Sequence, residues 1–293
     1  MAFLVAPLAL AIYIANDQLK EITECEASRQ DRIRGAYENK IRFFASPEKV
    51  FEVFSSIHTE SGELRMSYAD FLHALTPYTH GELNSCSEKF LEKHNEKIKS
   101  IIDFDGDGSI SFPEFVFFLT IFQIPPGILR KTFRKYEGGK MNKQQFSEEL
   151  SHLRHKTLQG SKQVNKTVID ARQIAATEED FLATNLALAN RLFAKKEFVT
   201  GIDIMKLKED VRTLLWQYEF ENYEPDEDNT IHLTDYLRTI LSSMNGGQIE
   251  KKIKRIKKVS SALPEDGQRV TFLEFLAFQH FLDNIDQLKA KIS

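Results

Sequence analysis

Six times along the chain an apolar residue is followed, five positions later, by a second one: Met66 and Phe71, Ile110 and Phe115, Met141 and Phe146, Ile202 and Leu207, Ile231 and Tyr236, Val270 and Phe275. Around the second pair the apolar positions fall at helical spacing, with Ile98, Ile101 and Ile102 on one face ahead of it and the run F-V-F-F-L-T-I-F behind it. The pattern predicts a repeat of helix-loop-helix units, each closing its loop with an apolar residue on a short strand that pairs with a neighbouring loop. Glycine and proline are sparse and sit at helix breaks, so the chain is predicted to be all-α.

The loop before Ile110 carries the chemistry. Asp103 to Glu114 reads D-F-D-G-D-G-S-I-S-F-P-E. It offers oxygen from Asp103, Asp105 and Asp107, the backbone carbonyl of Ser109, Ser111 at the ninth position and Glu114 at the twelfth, with Gly108 at the sharp bend. This is the ligand spacing of an EF-hand calcium loop. Ser111 and Glu114 also have the spacing of a capping box, which puts the last ligand in the first turn of the exiting helix. Four crowded carboxylates repel one another, and a divalent cation relieves that repulsion, so filling the loop is expected to move its two helices.

The other units have mostly lost their ligands. The one ending at Met141 is preceded by a shortened E-G-G-K, the one before Val270 starts at Leu263, and the one before Met66 keeps Thr59, Ser61, Glu63 and Asp70 with Leu64 at the bend. Their expected role is to complete four-helix lobes. The loop before Ile231 is ambiguous: Glu224, Asp226, Asp228 and Asp235 stand at ligand positions, but Asp235 is a methylene shorter than Glu and His232 takes the ninth place. Both a weak metal site, better suited to magnesium than calcium, and a solvated acidic loop fit this pattern.

The expected organisation is an apolar N-terminal segment (1–15), a basic N-terminal region (16–56), a first EF-hand lobe (57–153), a linker (154–180) and a second lobe (181–288). Ala2 to Ala15 is shorter than the roughly 20 residues of a straight membrane span and lacks the basic start of a signal peptide. An anchor remnant, an interfacial segment and a packing helix all suit it. Lys251 to Lys258, K-K-I-K-R-I-K-K, is a basic amphipathic helix that serves either as a solvated face or as a membrane or acidic-partner contact.

At 293 residues the chain is long enough for two cores, and its 23 phenylalanines are expected to fill them. A formal charge of −4 with no basic domain argues against nucleic acid as a partner. Two cysteines, Cys25 and Cys86, make no disulfide framework and have no zinc spacing; Cys25 suits either a free thiol or a bond to another chain. No phosphate loop, nucleophile elbow or acid-base arrangement of the eight histidines argues for an enzyme.

Three stretches resemble the mitochondrial calcium uptake protein family, the EF-hand regulators of the mitochondrial calcium uniporter: Y-E-N-K-I-R-F-F-A-S-P-E-K-V-F-E-V-F from Tyr37, M-S-Y-A-D-F-L-H-A-L-T-P from Met66, and G-S-I-S-F-P-E-F-V-F-F-L-T from Gly108. The resemblance implies a calcium-sensing subunit in the intermembrane space, associated with the inner membrane, that gates the uniporter pore and forms a homo- or hetero-dimer with a family member. It also implies a basic docking surface, which by position includes Lys40 and Arg42, with Arg32 and Arg34 just ahead. A calcium-dependent adaptor acting outside the uniporter is the alternative function. The chain departs from the family in keeping its strong loop one hand earlier and in stopping at Ser293, before a final C-terminal pair, from which a shallow calcium response is expected.

Overall fold

A computed structural model describes residues 35, 37–42, 45–60, 62–77, 83–124, 126–156, 178–242, 258, 262 and 269–283. The apolar segment 1–15, Cys25, Arg32, Arg34, most of the linker and all but Lys258 of the basic run lie outside them, as does the side chain of Cys86. No single helix among the described residues is long and apolar enough to cross a membrane.

The elements are α1 (Pro47–Phe54), β1 (Ile57–His58), β2 (Leu64–Arg65), α2 (Tyr68–Leu75), α3 (Leu83–Ile102), α4 (Phe112–Gln123), α5 (Pro126–Phe133), β3 (Lys140–Met141), α6 (Lys143–Lys156), α7 (Glu178–Leu192), β4 (Val199–Thr200), α8 (Gly201–Glu221), β5 (Thr230–His232), α9 (Leu233–Ser242), β6 (Arg269–Thr271) and α10 (Phe272–Asp283). Helices carry the fold, and the strands are the short closures of the loops. Both features follow from the five-residue pairs, whose first member starts a strand contact and whose second lies in the exiting helix.

Two compact units divide the chain. One takes in Phe44–Leu75 and Glu88–Leu215, the other Trp216–Ser293 with Met1–Phe43 and Thr76–Ser87. In the first, Met66 and Ile110 exchange backbone hydrogen bonds of 2.9 and 2.8 Å, and β3 pairs antiparallel with β4. The β3–β4 pair joins segments on either side of the linker, which the sequence pattern assigns to separate lobes. In the other unit β5 pairs antiparallel with β6, opposing Ile231 to Val270.

The paired apolar residues are the core. Met66, Ile110, Met141, Ile231 and Val270 are buried, as are their partners Phe71, Phe115, Phe146, Tyr236 and Phe275. The fourth pair requires a correction: Ile202 is 77% exposed, while Val199, opposite Met141, is 0% exposed and Ile204, five residues on, is 3% exposed. The frame lies three residues earlier, close to one helical turn, and the apolar-rich V-T-G-I-D-I-M satisfies both frames by spacing alone.

Phenylalanine fills the first unit as expected. Phe51 meets Phe112 and Phe115 with ring centroids 5.3 and 5.7 Å apart, and Phe118 lies 5.1 Å from Phe71 and 5.0 Å from Phe104. The edge-on and stacked contacts suit the ring quadrupoles and hold α1, α2 and α4 on one core.

Candidate metal centre

Loop 103–114 is held from within before any ion is considered. Asp103 is buried and accepts from the amides of Gly106 (2.7 Å) and Gly108 (3.1 Å) and from the Tyr68 hydroxyl (2.6 Å). Gly108 has φ +89°, a conformation that a side chain would strain, so the bend depends on the missing Cβ. Glu114, also buried, accepts from the Phe104 amide (3.1 Å) with one oxygen and from the Ser111 amide and hydroxyl (2.9 and 2.8 Å) with the other. Ser111 caps α4 in return, so the predicted capping box is present. Asp105 accepts from the Asp107 amide at 3.1 Å.

The result is a cluster of acidic oxygens. Carboxylate oxygens of Asp103, Asp105 and Glu114 lie within 4.8 Å of one another. Burial pushes the Glu114 carboxyl up to about 7, with the Asp105 charge adding to the rise against the bonds from Ser111. Burial also raises Asp105, and the charges of Asp107 and Asp103 add to the effect. For Asp103 burial acts in the same direction, but the bonds from Tyr68, Gly106 and Gly108 outweigh it and hold the carboxyl below its usual range. Raised carboxyls beside one another show negative charge without enough compensation, and an all-oxygen donor set suits a hard divalent cation. The residues therefore fit calcium.

Asp107 and Ser109 are engaged elsewhere. One Asp107 oxygen accepts from the Ser109 amide and hydroxyl (2.9 and 2.8 Å), and the other is ion-paired with Arg65, which also donates to the Ser109 hydroxyl at 3.1 Å. Arg191 donates to the Asp103 carbonyl at 2.7 Å. Tyr68, Arg65 and Arg191 are absent from the sequence-derived site because they lie 35, 42 and 88 residues from their partners, beyond any local spacing rule.

The remaining loops are closed in other ways. In the first, β1 and β2 zip into a hairpin, and one Asp70 oxygen accepts from Ser56 and the Ser67 amide. Asn142 and Gln145 cap one another through their amides, Thr200 donates to Asp203, and Thr271 donates to Glu274. The ninth-to-twelfth capping contact thus persists where the metal ligands are gone. Glu224, Asp226, Asp228 and Asp235 form no ligand cluster of the kind seen at Asp103. Asp226 accepts from Thr230 and pairs with Arg269 at 3.1 Å, and Asn229 takes the bend at φ +56°.

Of the two basic residues in the Tyr37 stretch, Lys40 is exposed. The Arg42 side chain is 5% exposed and bonds to Glu38 and Asn39 at 3.2 and 3.0 Å, so a direct docking role for its guanidinium does not match the structure. Four residues separate Arg42 from Glu38, one helical turn, which favours the internal pair.

No protein-family model matches the chain. It is 24% identical over 271 residues to the mitochondrial calcium uptake protein of Arabidopsis thaliana, covering 87% of this chain and 52% of the relative. It is also 24% identical to calcium uptake protein 1 of Homo sapiens and of Danio rerio, covering 90% of this chain and 58% of each relative. The chain is thus similar, at low identity, to mitochondrial calcium uptake proteins. It spans just over half the length of these curated relatives. Among solved structures it is similar to EFHA2 in its calcium-binding state, at TM-score 0.51 and 22% identity over 82% of this chain and 77% of that one. The apo state of EFHA2 gives the same score over 83% and 76%. These likenesses agree with the all-α EF-hand fold read from the loop repeat and with the resemblance read from the three motifs.

Proposed function

We propose that the chain is a calcium-sensing regulatory subunit that gates the mitochondrial calcium uniporter from the intermembrane space, in association with the inner membrane. The observation that carries the sensing step is the cluster of Asp103, Asp105 and Glu114, joined directly to two helices. Glu114 is both a ligand candidate and the N3 residue of α4, so drawing its carboxylate onto an ion pulls on the exiting helix; Asp103 follows the last residue of α3. Calcium binding then changes the angle between α3 and α4 and the surface they present. Lys40 is the exposed cation offered to an acidic pore mouth, and the chain works as a dimer with a relative or a second copy.

The test uses mitochondria that express the chain or the double variant Asp103→Ala with Glu114→Ala. Titration calorimetry of the purified wild type should give a dissociation constant in the sensor range, about 10⁻⁷ to 10⁻⁵ M, and the double variant should give no binding at this loop. Uptake measured at calcium levels on either side of that range should depend on the wild-type chain and lose its calcium threshold in the variant. Normal binding in the double variant refutes the site; identical uptake with and without the chain refutes the uniporter role.

A further inference from the structure

The first helix-loop-helix unit has lost its metal ligands, yet it reaches into the loop that keeps them. Met66 bridges Ile110, and this register sets the residue before Met66 against the acidic loop. That residue is Arg65, whose guanidinium holds Asp107 and Ser109, while Asp107 spends its second oxygen on Ser109. Asp107 stands outside the group of Asp103, Asp105 and Glu114.

The same device recurs in the other unit. Val270 opposes Ile231, and the residue before Val270 is Arg269, which pairs with Asp226 at 3.1 Å in the loop it faces. In the fourth unit a lysine does this within its own loop, Lys196 pairing with Asp203. These two loops, with a cation on Asp226 or on Asp203, show no ligand cluster. In loop 103–114 the internal cation claims only one of four carboxylates.

Resting on the reading of loop 103–114 as a calcium site, we propose that Arg65 is a built-in counter-ion that withholds Asp107 from the ligand cluster and so sets the calcium affinity of the loop. The degenerate first unit thereby acts as a tuning element as well as packing. A guanidinium and a divalent cation compete for the same carboxylate, so calcium must displace Arg65 to recruit Asp107. The contest is decided on a half-exposed surface, where such pairs are weak and screened by salt. A modest effect on affinity is therefore expected.

The experiment is calcium titration calorimetry on the full chain, with Arg65→Gln, Arg65→Lys and Arg269→Gln beside wild type, together with thermal unfolding in chelator and in calcium. Removing the Arg65 charge should tighten calcium binding by about threefold at low salt, with the gain shrinking as salt rises. Lysine keeps the charge as a compact, more strongly hydrated ammonium on a flexible stem, so Arg65→Lys should fall between wild type and Arg65→Gln. Arg269→Gln should leave binding at loop 103–114 unchanged. In chelator Arg65→Gln should melt earlier than wild type, and calcium should raise its melting point by more. Unchanged or weaker binding in Arg65→Gln overturns the proposal, weaker binding showing that Arg65 positions Asp107 instead of withholding it. If Arg65→Gln does not fold, Arg65→Lys binding no tighter than wild type overturns it equally. Wild type that binds no calcium removes the site reading and this inference with it, whereas normal wild-type binding with no gain in Arg65→Gln removes the inference alone.

Discussion

Glu219 provides a direct test of how burial governs stability in the unit that contains residues 216–293. It lies on α8, is 5% exposed, and faces Tyr223 of the same chain segment, Tyr236 of α9 and Gln279 of α10. Its bonds are a long one from the Tyr223 hydroxyl, 3.5 Å, and one from the Gln279 amide, 3.2 Å; no cation compensates it among the described residues. Burial pushes its carboxyl up to about 8 against the slight opposing effect of Tyr223. The folded protein therefore holds a proton that the unfolded chain releases near its ordinary value of 4.5. Between those values the folded state binds more protons, so stability falls as pH rises, the reverse of a salt-bridged carboxylate. Each pH unit crossed costs about 1.4 kcal/mol, which amounts to roughly 3 kcal/mol by pH 7 as an upper figure.

Glu219→Gln keeps the shape and removes the titration. The variant should match wild type near pH 5 and exceed it increasingly toward pH 8, by on the order of 2–3 kcal/mol. Trp216, the sole tryptophan, belongs to the same core as Phe220 and Tyr236, so its fluorescence during urea unfolding reports on this unit. His280 lies 4.8 Å from the Trp216 ring, but it is common to both proteins and any effect it has on the fluorescence cancels in the difference. A stability difference that is constant from pH 5 to pH 8 would refute the reasoning, because a titrating group cannot produce it.

The frame of the fourth unit is tested by two single changes: Val199→Asp should cost at least about 3 kcal/mol, because it buries an unpaired charge, while Ile202→Asp should stay within about 0.5 kcal/mol in a thermal or urea melt. Phe115→Ala removes a 0% exposed ring that touches Phe51 and Phe71, and should cost about 3–5 kcal/mol by the same measurement. A loss under 1 kcal/mol there would show that the aromatic core is not the support of loop 103–114.

The oxygen cluster of loop 103–114 was legible because a ligand pattern imposes a fixed order on neighbouring residues, and the helical repeat because core burial imposes one on apolar residues. Both rules are local. Where two local frames satisfied the same rule, as at Val199 and Ile202, only the pairing of β3 with β4 across the linker separated them. That pairing also explains why the first compact unit runs to Leu215 when the linker suggested an earlier boundary. Arg42 presents the same difficulty in another form: a basic residue beside Lys40 reads as surface charge until Glu38, one turn away, is seen to take it up. The residues that fasten the loop from outside, Tyr68, Arg65 and Arg191, left no trace in its spacing because their partners are distant in sequence.

Losing calcium ligands leaves a loop with a physical problem, since the remaining carboxylates and the free amides at the start of the exiting helix still need partners. The chain solves it in parts: a ninth-position Ser, Thr or Asn satisfies the twelfth-position side chain and the helix start, and a lysine or arginine takes the place of the ion on a leftover acid. In such loops an acid already has a partner, which lowers what a metal would gain there. Loop 103–114 has the cap as well, but Asp103, Asp105 and Glu114 remain crowded, with Glu114 raised by burial. The free energy of ion binding is thus concentrated where charge is still uncompensated. The first helix-loop-helix unit touches this loop through Met66, Tyr68 and Arg65, so an ion bound there would act on that neighbour as well.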